Sequence, residues 1–250
     1  MKILIPNKPV PDPDVPIKVN PQGTGVDRGD EQLILNPFDA IALEEAIRIR
    51  EASNDEIEIV TVAIGKPDID KVLRTGLAMG ADRAILVVCE PAPDPWNVAK
   101  IIRTIVAQEE PGIILMGKQA IDDDCNQVGQ FLASLLDWPQ ATFVSKLELE
   151  NDGIVVDREI DEGIETFATS LPAVVTVDLR LNEPRYASLP AMMKAKRKTI
   201  DITNADALGI VIEPRVEIIS ITAPSAKRNC LFVDSADEFL AKLREEMALI

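Results

Sequence analysis

Between Glu56 and Leu136 the chain alternates at short intervals between β-branched apolar runs and amphipathic helical stretches, and this rhythm limits the fold more than any other feature. Glu56–Ile64, Arg83–Val88 and Gly112–Met116 read as buried strands, and Ile69–Met79, Trp96–Gln108 and Gln130–Leu136 as helices. A helix after every strand leaves room for parallel neighbours joined by crossovers. The expectation is an α/β fold: a parallel sheet covered by helices, Rossmann-like in architecture. No G-x-G-x-x-G follows Ile5 or Ile64, so the dinucleotide fingerprint is missing.

Before this block, Lys2–Pro6 reads as a strand and Asn7–Asp30 as a long loop with five prolines (Pro9, Pro11, Pro13, Pro16 and Pro21) and one strand at Ile17–Val19. Asn36-Pro37 starts a helix, with Asn36 as N-cap. Its expected buried stripe is Phe38, Ala42, Ala46 and Ile49, with Glu44, Glu45, Arg48 and Arg50 facing water. After Trp138-Pro139 the rhythm changes. Thr142–Glu150, Ile154–Ile160, Glu165–Thr169 and Ala173–Leu179 read as antiparallel hairpins added to the sheet, with turns at Asn151-Asp152-Gly153 and Asp161-Glu162-Gly163. Asp201–Ile210 reads as a linker, Val216–Thr222 as a strand, Ala223–Asn229 as a second linker, and Ser235–Met247 as a helix opened by a Ser235/Glu238 capping box. The expected division is residues 1–200 as a nucleotide-binding α/β domain and 201–250 as an arm that packs on a partner.

The polar stretch Gly117–Gly129 lies at a strand-to-helix junction, where open α/β sheets bind ligands. The helix that follows offers backbone N–H groups to an anion. Asp122, Asp123 and Asp124 would repel a phosphate, and helix capping explains them as well as a ligand does. Gly112 to Lys118 fits the first seven positions of a P-loop. Gln119 then stands where Mg²⁺ chemistry needs a hydroxyl, and the apolar Ile113–Met116 spacer is a strand, so that reading fails.

A net charge of −16 argues against nucleic acid or an anionic membrane as main partner. The absence of histidine rules out Ser–His and Cys–His nucleophiles and His-ligated metals. Cys89, Cys125 and Cys230 lack metal-ligand spacing and suit a reducing compartment. There is no apolar run of transmembrane length, and the opening strand is too short for a signal peptide. Composition therefore favours binding or carrying over catalysis. Leu189, Met192 and Met193 precede Lys194, Lys196, Arg197 and Lys198; these cations either satisfy the last carbonyls of a helix or flank an exposed docking patch.

Three blocks give the chain a wider likeness: Asn36-Pro37-Phe38-Asp39 with Glu44-Glu45-Ala46; Gly117 to Gln130 with Leu136-Asp137-Trp138-Pro139; and Val156 to Lys196, which includes Arg158-Glu159-Ile160-Asp161 and Leu181 to Pro190. In these, and in Thr75 to Arg83, the sequence resembles the β subunit of electron transfer flavoprotein over nearly its whole length. The resemblance implies a non-bifurcating electron carrier rather than an enzyme. It implies a heterodimer with an α subunit that mainly holds FAD, while β holds a structural AMP. It further implies electron uptake from acyl-CoA and related dehydrogenases, as in fatty acid β-oxidation, and delivery to a quinone oxidoreductase. The expected setting is a bacterial cytoplasm or a mitochondrial matrix.

Carried over by position, the AMP contacts would be Pro6, Asn36, Pro37, Phe38, Asp39, Ile64, Gly117, Lys118, Gln119, Ala120, Ile121, Asp122, Asp123, Asp124, Cys125, Asn126, Gln127 and Val128. Leu189 would insert into a dehydrogenase, with Tyr186, Pro190, Met192 and Met193 around it. Arg158 and Glu159 would face the α subunit or form an ion pair within their own hairpin. One departure stands out: many members place a tyrosine in the first loop, whereas Tyr186 is the only tyrosine here. Competing readings are an ATP-using enzyme, a nucleotide-sensing regulator, and a bifurcating subunit with its own FAD.

Overall fold

The structure is a computed structural model that describes residues 1–27, 33–150, 153–224 and 230–245. In chain order the strands are β1 (Lys2–Asn7), β2 (Pro9–Pro11), β3 (Lys18–Val19), β4 (Val26–Asp27), β5 (Leu33–Leu35), β6 (Glu58–Gly65), β7 (Arg83–Val88), β8 (Ile113–Gly117), β9 (Gln140–Leu149), β10 (Gly153–Ile160), β11 (Gly163–Ser170), β12 (Ala173–Val177) and β13 (Asp201–Asn204). The helices are α1 (Pro37–Ala52), α2 (Asp70–Met79), α3 (Pro95–Glu109), α4 (Val128–Leu136), α5 (Leu189–Ala195) and α6 (Ala236–Glu245).

Nine strands form one sheet in the order β11-β10-β9-β12-β8-β1-β6-β7-β13. Pairing is parallel from β9 across to β13, and β10 and β11 add an antiparallel margin. The expected α/β class holds. β1 is apolar on both sides: Ile3 and Ile5 belong to a core with residues of α1 and α2, whereas Leu4 belongs to one with residues of α3 and α4. Near-continuous apolar runs are what a strand covered on both faces requires.

By compactness the chain falls into two units. One comprises Met1–Pro16 with Arg28–Glu217, and the other Ile17–Asp27 with Ile218–Ile250. The second unit contains the β3–β4 hairpin, a bond from Ile221 N to Gly23 O at 2.7 Å, and α6. At the start of α6 the Glu238 amide donates to Ser235 Oγ, and the Glu238 carboxylate reaches back to the Asp234 amide. The capping box thus closes one residue earlier than its usual form.

Several expectations need correction. Ala173–Leu179 is no hairpin strand: β12 inserts in parallel between β8 and β9, and its five residues are all buried. The expected linker begins with β13, which pairs with β7, and no strand forms at Val216–Thr222. Glu44 and Glu45 are buried rather than facing water. Asn151 and Asp152 of one expected turn, residues 28–30 of the long loop, 225–229 of the second linker, and Glu246 and Met247 of the last helix lie outside the described residues.

The Lys194–Lys198 cations do not cap α5. Arg74 of α2 donates instead to the carbonyls of Ala195 and Lys196 at 3.0 and 3.1 Å and reaches that of Lys198 at 3.4 Å. Lys198 returns the favour, with its Nζ on the carbonyls of Ala81 and Asp82 just past α2. Arg74 thus satisfies the end of α5 without a glycine cap, whereas α2 closes on Gly80 and Ala81, whose amides bond Gly76 O.

Candidate functional site

The chain leaves β1 toward β6 on one side and later returns to place β8 on the other, so the strand order reverses between β1 and β8. α1 follows β1 on one face and α4 follows β8 on the other. A crevice at the carboxyl ends of these strands is where such sheets take ligands.

Asp39, in the first turn of α1, ties the crevice together. Its Oδ1 accepts from the Gly117 amide at 2.9 Å and its Oδ2 from the Lys8 amide at 2.8 Å, joining the ends of β8 and β1. Burial pushes its carboxyl up to about 7, against the pull of those two amides, the Asn36 amide and the Lys8 charge. Asn36, 1% exposed, makes no N-cap bond, contrary to expectation. Its Nδ2 donates to Gln119 O at 2.9 Å and its Oδ1 accepts from Ile121 N at 3.4 Å. The side chain at position 36 therefore holds the Gly117–Gly129 loop rather than capping its own helix.

The three aspartates do not cap α4 either. Gln127 precedes the helix and no side chain caps its first turn. Lys8 Nζ contacts Asp122 Oδ1 at 2.8 Å and Asp123 Oδ2 at 2.6 Å. Burial works against the Asp123 charge, but Lys8 and the Cys125 amide hold its carboxyl below the usual range. Asp124 accepts from Gln119 Nε2 at 2.8 Å. Asp124 and Asn126 adopt positive φ (48° and 49°), conformations that these short polar residues tolerate better than most. Lys8 thus offsets part of the charge that would repel an anion, and the first turn of α4 stays open. The buried, unpartnered Oε1 of Gln130 in the same turn leaves a further acceptor. This cradle fits a nucleotide.

Two neighbours have other work. Lys118 Nζ pairs with Asp178 at 2.7 Å between the rings of Phe38 and Phe143, and its amide donates to Val177 O. Neither group is turned to the loop. Gly129 packs α4 on β12, where an added Cβ would stand 2.4 Å from Thr176 Cγ2. Pro6 is buried and Ile64 half-buried at the ends of β1 and β6, while Ala120 is buried and Cys125 exposed in the loop.

The other expected residues lie elsewhere. Tyr186 is 99% and Leu189 75% exposed, with Pro190, Met192 and Met193 also exposed. Ser188 caps α5 through the Ala191 amide, and buried Ala195 seats it. Arg158 pairs with Glu165 at 2.5 Å and covers Phe167, while Glu159 pairs with Arg180. Sequence reasoning missed Lys8; its one signal was a lone cation directly after a buried strand.

Asp39→Asn should change the pH dependence of stability. The folded carboxyl titrates near 7, above its ordinary 3.8, so the native state holds the extra proton between these values. This contribution is full below about pH 4 and lost as pH rises through 7. Denaturant titrations of the assembled protein should show that decline flattened in Asp39→Asn. An unchanged slope would mean that Asp39 stays ionised throughout.

The sheet, its reversal point and the polar loop define an open α/β domain with a crevice at the carboxyl ends of β1 and β8. The chain also matches the electron transfer flavoprotein domain over residues 24–208. It is 46% identical to the electron transfer flavoprotein subunit beta of Bradyrhizobium diazoefficiens across the full length of both. It is 49% identical to the mitochondrial protein of that name from Arabidopsis thaliana, again over both full lengths. With the Homo sapiens subunit it shares 44% identity over 98% of this chain and 97% of the relative. The chain belongs to the electron transfer flavoprotein family, among its β subunits. No helix among the described residues is long and apolar enough to cross a membrane.

Proposed function

We propose that this chain is the β subunit of a non-bifurcating, heterodimeric electron transfer flavoprotein that holds a structural AMP. Likeness to named β subunits over the full chain supports the carrier role. The observation that carries the nucleotide is Lys8 on Asp122 and Asp123 beside the uncapped start of α4. In this reading the backbone of Asn36–Asp39 and Gly117–Ala120 lines the adenine side, with Pro6 and Ile64 at neighbouring strand ends. The amides of Gln127 and Val128 meet the phosphate. Lys118 contributes through its backbone position, since its ammonium is committed to Asp178.

FAD, held mainly by the α subunit, supplies the redox chemistry. This chain's part is to bind, seat and present. Leu189 with Tyr186, Pro190, Met192 and Met193 forms the docking point for acyl-CoA and related dehydrogenases; an apolar anchor among adaptable contacts suits a carrier that serves several partners. Electrons then pass to a quinone oxidoreductase. Arg158 and Glu159 lie on the side offered to α, and residues 201–250 include the arm that reaches it. The bacterial and mitochondrial relatives support a bacterial cytoplasm or a mitochondrial matrix as the setting.

Co-expression with the α subunit, followed by denaturation and mass analysis of released nucleotides, tests this. One AMP and one FAD per heterodimer are expected. Two FAD and no AMP would make the protein a bifurcating form, and ATP or failure to assemble would overturn the reading.

A further inference from the structure

Glu44 is 2% exposed, yet it has no part in the nucleotide cradle. Its Oε2 accepts from the amide and Nε of Arg185 at 3.2 and 2.8 Å. Its Oε1 accepts from Arg185 Nη2 at 3.1 Å and Arg48 Nε at 2.9 Å. Burial works against this charge, but the two guanidiniums hold its carboxyl below the usual range. Arg185 continues to Glu51 through Nη1 and Nη2 at 2.6 and 2.9 Å. Beside it, Asn182 Nδ2 reaches Glu45 Oε2 at 2.8 Å and Ile41 O at 3.1 Å, and Arg48 donates to Glu183 O.

The run from 178 to 188 has no strand or helix of its own. Side chains of α1 hold it instead, and they grip it at Arg185, directly beside Tyr186 and four residues before Leu189. A buried carboxylate paired in this way adds little net stability over a well-packed apolar residue, and fixed geometry is its better-attested use. We propose that Glu44 is a positioning residue for partner docking: acting through Arg185, it pre-arranges Leu189 so that less ordering remains when a dehydrogenase binds. The proposal rests on the docking role given to Leu189 above.

The test uses the heterodimer as electron acceptor for an acyl-CoA dehydrogenase, with KM and kcat measured for Glu44→Gln, Leu189→Ala and the double variant. Glu44→Gln should raise KM about fivefold, as expected for lost pre-organisation, with kcat within about twofold. In the Leu189→Ala background it should add nothing, because the side chain it positions is gone. If Leu189→Ala raises KM and Glu44→Gln does not, the positioning role falls and docking stands. If the two effects multiply, Glu44 acts elsewhere and the proposal falls. If Leu189→Ala leaves KM unchanged, the docking reading itself is overturned. Should Glu44→Gln fail to assemble, Glu51→Gln weakens the hold on Arg185 at its exposed second partner, and the same outcomes decide.

Discussion

Replacing Leu189 by alanine is expected to slow electron uptake from an acyl-CoA dehydrogenase by about thirtyfold at limiting carrier, the scale of a single interface hot spot. The structure explains why so large a change need not disturb the fold. Leu189 is 75% exposed, so its truncation leaves no cavity. α5 keeps the Ser188 cap, the buried Ala195 and the Arg74 bonds at its far end. Flavin content, nucleotide content and melting temperature should therefore match the parent protein. Stopped-flow reduction at several carrier concentrations gives the answer, and rates equal to the parent's would remove Leu189 from the docking role.

Gly117→Ala should have the largest effect on stability and nucleotide retention together. A Cβ there would lie 2.5 Å from Phe38 Cβ, 2.6 Å from Asp39 Oδ1 and 3.0 Å from the Phe38 backbone carbon. These atoms belong to the first turn of α1, so relief requires moving the helix off the end of β8. Overpacking of this kind costs about 3 kcal/mol, at the upper end of its usual range. The shift would also stretch the Asp39–Gly117 bond and part the two walls of the crevice. Chemical denaturation should show the loss of stability, and mass analysis of the purified heterodimer should find nucleotide below one per complex. Full occupancy and parental stability would mean that α1 can retreat without cost.

Where a residue's environment is set by its own element, the sequence was readable. The strands and helices from Glu56 to Leu136, Pro37 at the start of α1, and the loop at Gly117–Gly129 all follow from local periodicity and turn chemistry. Where distant chain decides, it was not. Helical spacing puts Glu44 and Glu45 toward water, but Arg185 and Asn182 arrive from about 140 positions away to bury them. β12 reads as one more hairpin strand until its five buried residues place it beside β8. The aspartates look like helix caps because nothing nearby in sequence announces Lys8, 114 and 115 positions earlier. Asn36 has the right residue type for a cap, and only the fold turns its side chain to another loop.

The central place of β1 also bears on how the chain is made. Its residues pair with β6 from Glu58 onward on one side and with Ile113 and Ile114 of β8 on the other. β1 is thus enclosed late in synthesis, since its second neighbour follows more than a hundred residues after it. At ordinary rates of synthesis that is about ten seconds during which an apolar edge waits for its partner. A nascent chain of this design should engage a chaperone through β1 and release it once the segment after Met116 has emerged.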